Sequence, residues 1–389
     1  MAENKDKKVL NVPNLRFPEF EGEWQDTRLK EISKFSKERL NSIELSCSNY
    51  VTTENMLQDY KGIVSATNLP TNTNVIKFSK GDVLLSNIRP YLKKVWYADR
   101  NGGCSADVFV FKALPICNSN FLHHVIANDR FIKFVMGGAK GVKMPRGDKE
   151  QMITYKVGLP CIEEQKKIAT LLSLLDERIS TQNKIIDKLQ SLIKGISNRL
   201  LYADNSMSIR IEEMLIERSE RTKKNNQYEI LSSTVNGIFS QRDYFSKDIA
   251  SDNNVGYKII HLHDIVLSPQ NLWMGNINFN DKFDIGIVSP SYKVFSIADG
   301  FDKKYVAALL KTHHALYNYM LVSEQGASIV RRNLNYEAFE QLVFKIPSLN
   351  KQQEIGHVIS LLKSQLENAN LLIKTYNSQK QYLFRQMFI

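Results

Sequence analysis

Apolar positions between Ile168 and Leu200 fall in steps of four and three: Ile168, Leu172, Leu175, Ile179, Gln182, Ile186, Leu189, Ile193, Ile196 and Leu200. This is a heptad seam with one polar member, Gln182. No proline interrupts it, and Gly195 is its single glycine. Pro160 closes the preceding segment, and Glu163 and Glu164 put negative charge where a helix N-terminus favours it. The pattern predicts a helix of about forty residues, roughly 60 Å long. Such a helix needs a partner along its length.

The partner is a second copy of the pattern. A shift of 187 residues carries Pro160 onto Pro347, Gln165 onto Gln352 and Ile168 onto Ile355 without a gap. The shifted seam reads Ile355, Ile359, Leu362, Leu366, Ala369, Ile373, Tyr376, Lys380, Leu383 and Met387, with Lys380 the clear misfit. The misfit leaves the last two turns of helix packing open. Asn350 and Gln353 fit a capping box with a substituted first residue. Beside the seams, Leu171, Leu174, Ile185 and Leu192, then Val358, Leu361 and Leu372, widen the apolar face. That surplus calls for a further partner or for packing on the rest of the chain.

Each long helix follows a stretch with strand and turn signals. Met1 to Asn14 reads as a disordered basic lead-in. Leu29, Ile32 and Phe35 predict a short amphipathic helix; Val51–Thr53, Gly62–Val64, Val75–Phe78, Val95–Tyr97 and Val108–Phe111 predict strands. Gly81–Ser86 reads as a turn into a buried strand, and Asn120 to Met136 as a helix. Gly137 to Arg146 is a glycine-rich basic loop. After a polar link at Ala203–Ser208 the signals return. Ile209–Ile211 repeats the opening, Asp264–Ser268 matches Asp82–Ser86, Tyr305–Leu321 matches the helix at Asn120, and Glu324–Arg332 matches the basic loop. The framework repeats while the content of the two globular stretches differs.

Composition narrows the class. The 389 residues are 43% hydrophobic and 24% charged, and carry a net charge of +11. The excess suits a polyanion such as nucleic acid but names no sequence. Cys47, Cys104, Cys117 and Cys161 form no C-x-x-C pair, the first residues lack a signal-peptide core, and no run is apolar enough to span a bilayer; a reducing cytoplasm is the expected location. No phosphate-binding loop, glycine-rich cofactor fingerprint or Asn/Asp-Pro-Pro-aromatic methylation motif occurs. Glu164-Gln165-Lys166 superficially resembles part of a nuclease metal motif, but reads better as helix-start electrostatics. His123-His124, His261-x-His263 and His313-His314 lack an evident further ligand, so no metal site is expected.

The opening Leu15-Arg16-Phe17-Pro18-Glu19-Phe20, the helix starts Pro160…Glu164-Gln165 and Pro347…Gln353-Glu354, and the double period carry a family resemblance. Over essentially its full length the chain resembles the specificity subunits of type I DNA restriction–modification systems. The resemblance implies an α+β chain: two α/β target-recognition domains separated by two long helices packed as an antiparallel coiled coil, with an internal pseudo-two-fold repeat. The implied division is lead-in 1–14, first recognition domain 15–160, central helix 161–203, second recognition domain 204–347 and C-terminal helix 348–389. It further implies a non-catalytic subunit whose domains each read half of a bipartite site in double-stranded DNA. Its helices would set the spacing and dock two methyltransferase subunits, which restriction subunits join. The chain itself would need no cofactor, S-adenosylmethionine being held by the methylating partner.

DNA-contact candidates are loop residues with base-reading or phosphate-neutralising chemistry. In the first unit they are Asn87, Arg89, Tyr91, Lys93, Lys94, Lys140, Lys143 and Arg146; in the second, Gln270, Asn271, Trp273, Arg331 and Arg332. A solvated loop with incidental charge is the plainer alternative for any one of them. At the level of the whole chain, the rival is a coiled-coil interaction scaffold with only non-specific DNA affinity.

Overall fold

A computed structural model describes residues 11–201, 207–244, 253–325 and 332–389, apart from the side chains of 198–201 and 244. The chain divides into two compact units, Met1–Lys184 with Leu371–Ile389, and Ile185–Asn370. The two long helices run Ile162–Leu201 and Leu349–Met387. Among the described residues, no helix is long and apolar enough to cross a membrane.

In the first unit a four-stranded sheet has the order Ser33–Phe35, Val108–Ala113, Val83–Ser86, Val95–Tyr97, all neighbours antiparallel. Successive strand residues point to opposite faces. Val83, Leu85, Phe109 and Phe111 enter the larger core with Phe121, Leu122, Phe131 and Ile168; Leu84, Val108 and Val110 enter a second core with Phe78 and Trp96. Both faces are therefore apolar, which is why Val83–Ser86 reads as a continuous buried run. Each such buried Leu, Val or Phe contributes about 1.5–3 kcal/mol.

The second unit repeats this sheet as Leu215–Glu217, Lys293–Ile297, Ile265–Leu267, Ile277–Phe279. Ile265, Leu267 and Phe295 face the core that holds Ile355 and Ile359, while Val266 and Val294 face a smaller one. A two-stranded ladder closes each unit below its long helix: Gln25–Arg28 against Lys156–Leu159, and Met207–Arg210 against Val343–Ile346.

The repeat extends to single hydrogen bonds. Gln165 Nε2 donates to the Pro160 carbonyl at 2.9 Å, and its Oε1 accepts from Asn118 N, the residue capping helix Ser119–Ile126. Gln352 Nε2 donates to the Pro347 carbonyl at 2.9 Å, and its Oε1 accepts from Asp302 N, the cap of helix Lys303–Leu309. Both glutamines are buried. Asn350 lies inside its helix, so the side chain that reaches back there is that of Gln352, not Gln353.

Both seams are covered. Every seam position from Ile168 to Ile196 and from Ile355 to Met387 is buried or half-buried, including Ile186, Leu189, Ile193, Leu362, Leu366 and Ile373. Within the first unit, Ile168, Leu172, Leu175 and Ile179 share a core with Tyr376, Leu383, Phe384, Met387 and Phe388. The start of one long helix thus meets the end of the other, an antiparallel arrangement in this unit. Lys380 does not open this packing. Its ammonium pairs with Asp176 of the first long helix and lies 5.5 Å from the ring centres of Tyr60 and Phe384. Beside the seams Leu174, Ile185, Leu192, Val358, Leu361 and Leu372 stay exposed.

Several local expectations change. Phe35 belongs to strand Ser33–Phe35, after a helix of only Leu29–Ile32. The strand at Val51 is Tyr50–Val51, and Ile63 makes a single bridge to Met56. The helix at Asn120 is two helices, Ser119–Ile126 and Asp129–Gly137, because the Asn128 side chain caps the second. Tyr305–Leu321 likewise splits where Thr312 caps His313–Leu321. Of the expected lead-in, residues 1–10 lie outside the described residues, while Asn11 is held in place: its carbonyl accepts from Trp24 N and its side-chain amide donates to Asp26. Glu164 is buried and receives two hydrogen bonds from the Arg16 guanidinium, each 2.8 Å, so it is an ion-pair partner as well as a helix-start charge.

Candidate nucleic-acid interface

In the first unit the turn after Ser86 and the glycine-rich loop are one surface. Arg89 N donates to Pro145 O at 2.8 Å, Gly147 N to Asn87 O at 3.3 Å, and Ile88 and Arg146 form an antiparallel bridge. Lys140 and Arg146 exchange both main-chain hydrogen bonds at 2.9 Å, closing the loop Gly141–Pro145. Three chain segments thereby lie side by side, with Arg146 in the middle. Arg89 and Lys93 take left-handed backbone conformations, φ 51° and 54°, at the two ends of the short helix Pro90–Leu92. Non-glycine residues hold such conformations only where surrounding bonds demand it.

The side chains divide into free and committed. Tyr91 and Lys143 are exposed. Lys140 is exposed and pairs with Asp148 at 2.6 Å; Arg146 approaches Asp107 at 3.4 Å. Hydrogen bonding from Lys140 and from Gln151 and Glu150 N–H groups holds the Asp148 carboxyl below its usual pKa. Asn87 Oδ1 and Arg89 Nε are buried without a protein partner, leaving polar capacity at the junction of the two loops. Lys93 and Lys94 are less available than the sequence implies. Lys93 pairs with Asp129 at 2.9 Å, beside Tyr60, whose hydroxyl donates to the same carboxylate. Lys94 donates to the Thr53 carbonyl, and burial lowers its pKa. Both act as latches for the loop.

The second unit builds the corresponding place differently. Gln270, Asn271 and Trp273 lie on the short helix Pro269–Met274 that follows the central strand. Gln270 is exposed; Asn271 and Trp273 are half-buried. Strands Ser323–Gln325 and Arg332–Leu334 form the later hairpin, and the Arg332 guanidinium lies 4.5 Å from the Trp273 ring centre. Stacking of this kind is a cation–π contact. Asn271 Oδ1 and Arg332 Nε are buried without a hydrogen-bond partner, as are Asn87 Oδ1 and Arg89 Nε in the first unit. Arg331 lies outside the described residues. Lys311 supports the turn: it donates to Gly275 O at 2.8 Å and Val235 O at 3.3 Å. Burial, with a smaller effect of Lys363, pushes its pKa down to about 8.

The histidine pairs go elsewhere. His124 is buried on helix Ser119–Ile126, with Nε2 3.3 Å from Ser173 Oγ and Nδ1 4.0 Å from Asp176. Burial, then His123 and Lys380, hold its pKa well below the ordinary value. His261 meets Glu220 at 2.7 Å. Among the described residues, no three His, Cys, Asp or Glu side chains converge as metal ligands. Val142, passed over in the sequence, is fully exposed at the tip of the basic loop.

Comparison with known proteins accounts for this architecture. Residues 21–191 match the type I restriction modification DNA specificity domain. The chain is 27% identical over 213 residues to the type I restriction enzyme MjaVIII specificity subunit of Methanocaldococcus jannaschii, covering 50% of this chain and 45% of that protein. It is 23% identical over 125 residues to the EcoDI specificity subunit of Escherichia coli, covering 32% of this chain and 28% of that one. The matched stretches thus span less than half of either curated relative. The S subunit of a type I restriction–modification system from M. genitalium shares the fold at TM-score 0.64, 13% identity, over 97% of this chain and 99% of that one. Residues 21–191 thus match a type I restriction modification DNA specificity domain, and the twice-built framework of sheet and long helix has the fold of the solved S subunit.

Proposed function

We propose that the chain is the non-catalytic DNA-specificity subunit of a type I restriction–modification complex, each unit reading one half of a bipartite site. The observation that carries this reading is the repeated junction. At the same place on the same framework, the turn after the central strand meets a later basic segment, and the side chains presented there differ. A constant frame with variable loops is what two half-sites of different sequence require. Arg and Asn side chains at these junctions have the chemistry for guanine and adenine edges, while Lys neutralises phosphate.

The long helices act as the spacer, and their exposed apolar residues, Leu174 in the first unit and Ile185, Leu192, Val358 and Leu361 in the second, offer contacts for two methyltransferase subunits. Restriction subunits join through that complex, and S-adenosylmethionine belongs to the methylating partner. A bare interaction scaffold would account for the seams but not for two latched basic junctions. The test inserts one heptad near Gln182 and maps the methylated site in the assembled complex. A longer gap with unchanged half-sites is expected; an unchanged gap refutes the spacer role. Binding to one bipartite sequence above the salt-sensitive non-specific background separates this reading from the scaffold. The purified chain alone is expected neither to methylate nor to cleave DNA.

A further inference from the structure

We propose that Val142 is a base-reading residue of the first unit, making an apolar contact with a thymine methyl in the major groove. This rests on the DNA-reading function proposed above and goes beyond it by naming a residue and the chemical group it reads.

Val142 has a relative exposure of 103%, the most of any large apolar side chain among the described residues. Its loop cannot fold back to hide it. The paired main-chain bonds between Lys140 and Arg146 close the five residues Gly141–Pro145, and the Pro145 carbonyl is taken by Arg89 N. Gly141, at φ 93°, turns the chain directly before Val142. The tip is therefore a short, closed ribbon, the shape a major groove admits.

Its surroundings select the occupant. Lys143 is exposed, Lys140 and Arg146 bring two further cations within seven residues of chain although they also meet Asp148 and Asp107, and Met144 on the same loop is 48% exposed. Cations beside an apolar tip disfavour a purely hydrophobic protein surface and favour a polyanion with apolar groups set inside it. On the major-groove edges of DNA bases, that apolar group is the C5-methyl of thymine. The corresponding segment of the second unit, 326–331, lies outside the described residues.

The test uses the full chain in its assembled methyltransferase complex and its own site. Each thymidine of the half-site read by residues 15–160 is replaced in turn by deoxyuridine, which removes only the methyl. Binding is measured for the wild type and for Val142→Ala. One position should lose about fourfold in the wild type, the worth of one buried methyl group. The same replacement should cost Val142→Ala less than about 1.5-fold, with melting temperature and salt slope unchanged. Equal losses in both proteins, no sensitive thymine, or full affinity of Val142→Ala overturn the proposal. If instead the variant abolishes DNA kinking without any deoxyuridine-sensitive position, Val142 is a wedge between base steps and the methyl reading is wrong. A wild-type complex with no sequence preference at all would overturn the underlying DNA-reading function, a result distinct from each of these.

Discussion

In the first unit the turn after Ser86 is tied to the later loop by main-chain bonds, Arg89 N to Pro145 O and the Ile88–Arg146 bridge. In the second unit the turn after Ser268 meets its counterpart through the Arg332 guanidinium on Trp273. Among the described residues, the first junction is joined main chain to main chain, with Lys93 and Lys94 as side-chain latches, and the second is joined through a side-chain cation–π contact. Beneath both, the sheets share one strand order and Gln165 and Gln352 make the same pair of hydrogen bonds. The difference teaches where sequence is free to vary. Positions that hold the frame recur, while positions at the junction are specific to each unit. The seam shows the same contrast. The Asp176–Lys380 pair of the first unit corresponds, by the 187-residue shift, to Lys363 and Ile193 in the second.

The largest effect should come from exchanging residues 20–159 for those of another specificity subunit. Methylated-site sequencing should then show one half-site replaced and the other intact. Change in both halves would break the correspondence of one unit to one half.

Next is the asymmetric ion pair. Lys380→Met leaves Asp176 without its cation in a largely buried setting and should cost roughly 1–3 kcal/mol, below the full cost of a broken buried pair because Asp176 is partly solvated. Chemical denaturation checks this, and Asp176→Leu combined with Lys380→Met should recover most of the loss. A lone Lys380→Met variant as stable as wild type would make the pair ornamental.

The two glutamines sharpen the likeness of the frames. Gln165→Ala and Gln352→Ala should each cost about 1–3 kcal/mol, because each strands a buried carbonyl and a helix-cap N–H. Similar losses for the pair are expected, and a cost confined to one would show that the frames are equivalent only in outline.

The smallest effect is on pH dependence. His124 is held neutral in the fold, and burial pushes His123 down to about 3. Above the ordinary histidine pKa both folded and unfolded chains are neutral there. As pH falls below it, the unfolded chain takes up protons that the folded chain refuses, so stability falls with pH. Thermal melts between pH 7 and pH 4 should lose less in His124→Phe than in wild type. Hydrogen exchange should locate the early acid loss in the first unit.

Much of the architecture was legible in the residues alone. Two seams offset by a constant shift, Pro–Gln helix starts and the buried strand Val83–Ser86 are periodic or local signals, and each sums small preferences over many positions. Those signals set the long helices, the doubled framework and the alternation of core faces. They also separated the candidate loops from the core. What they left open was decided by contacts between distant segments. Lys380 looked like a fault in its seam until Asp176 and two aromatic rings stood beside it. Lys93 and Lys94 looked free until Asp129 and the Thr53 carbonyl claimed them. Arg89 and Arg146 stand more than fifty residues apart in the chain, and only folding shows that their backbones adjoin and hold Val142 out. A repeat announces itself along the chain because each position is tested against its near neighbours. Hydrogen bonds and ion pairs between remote segments leave no such period, so the shape of the junction belongs to the tertiary structure.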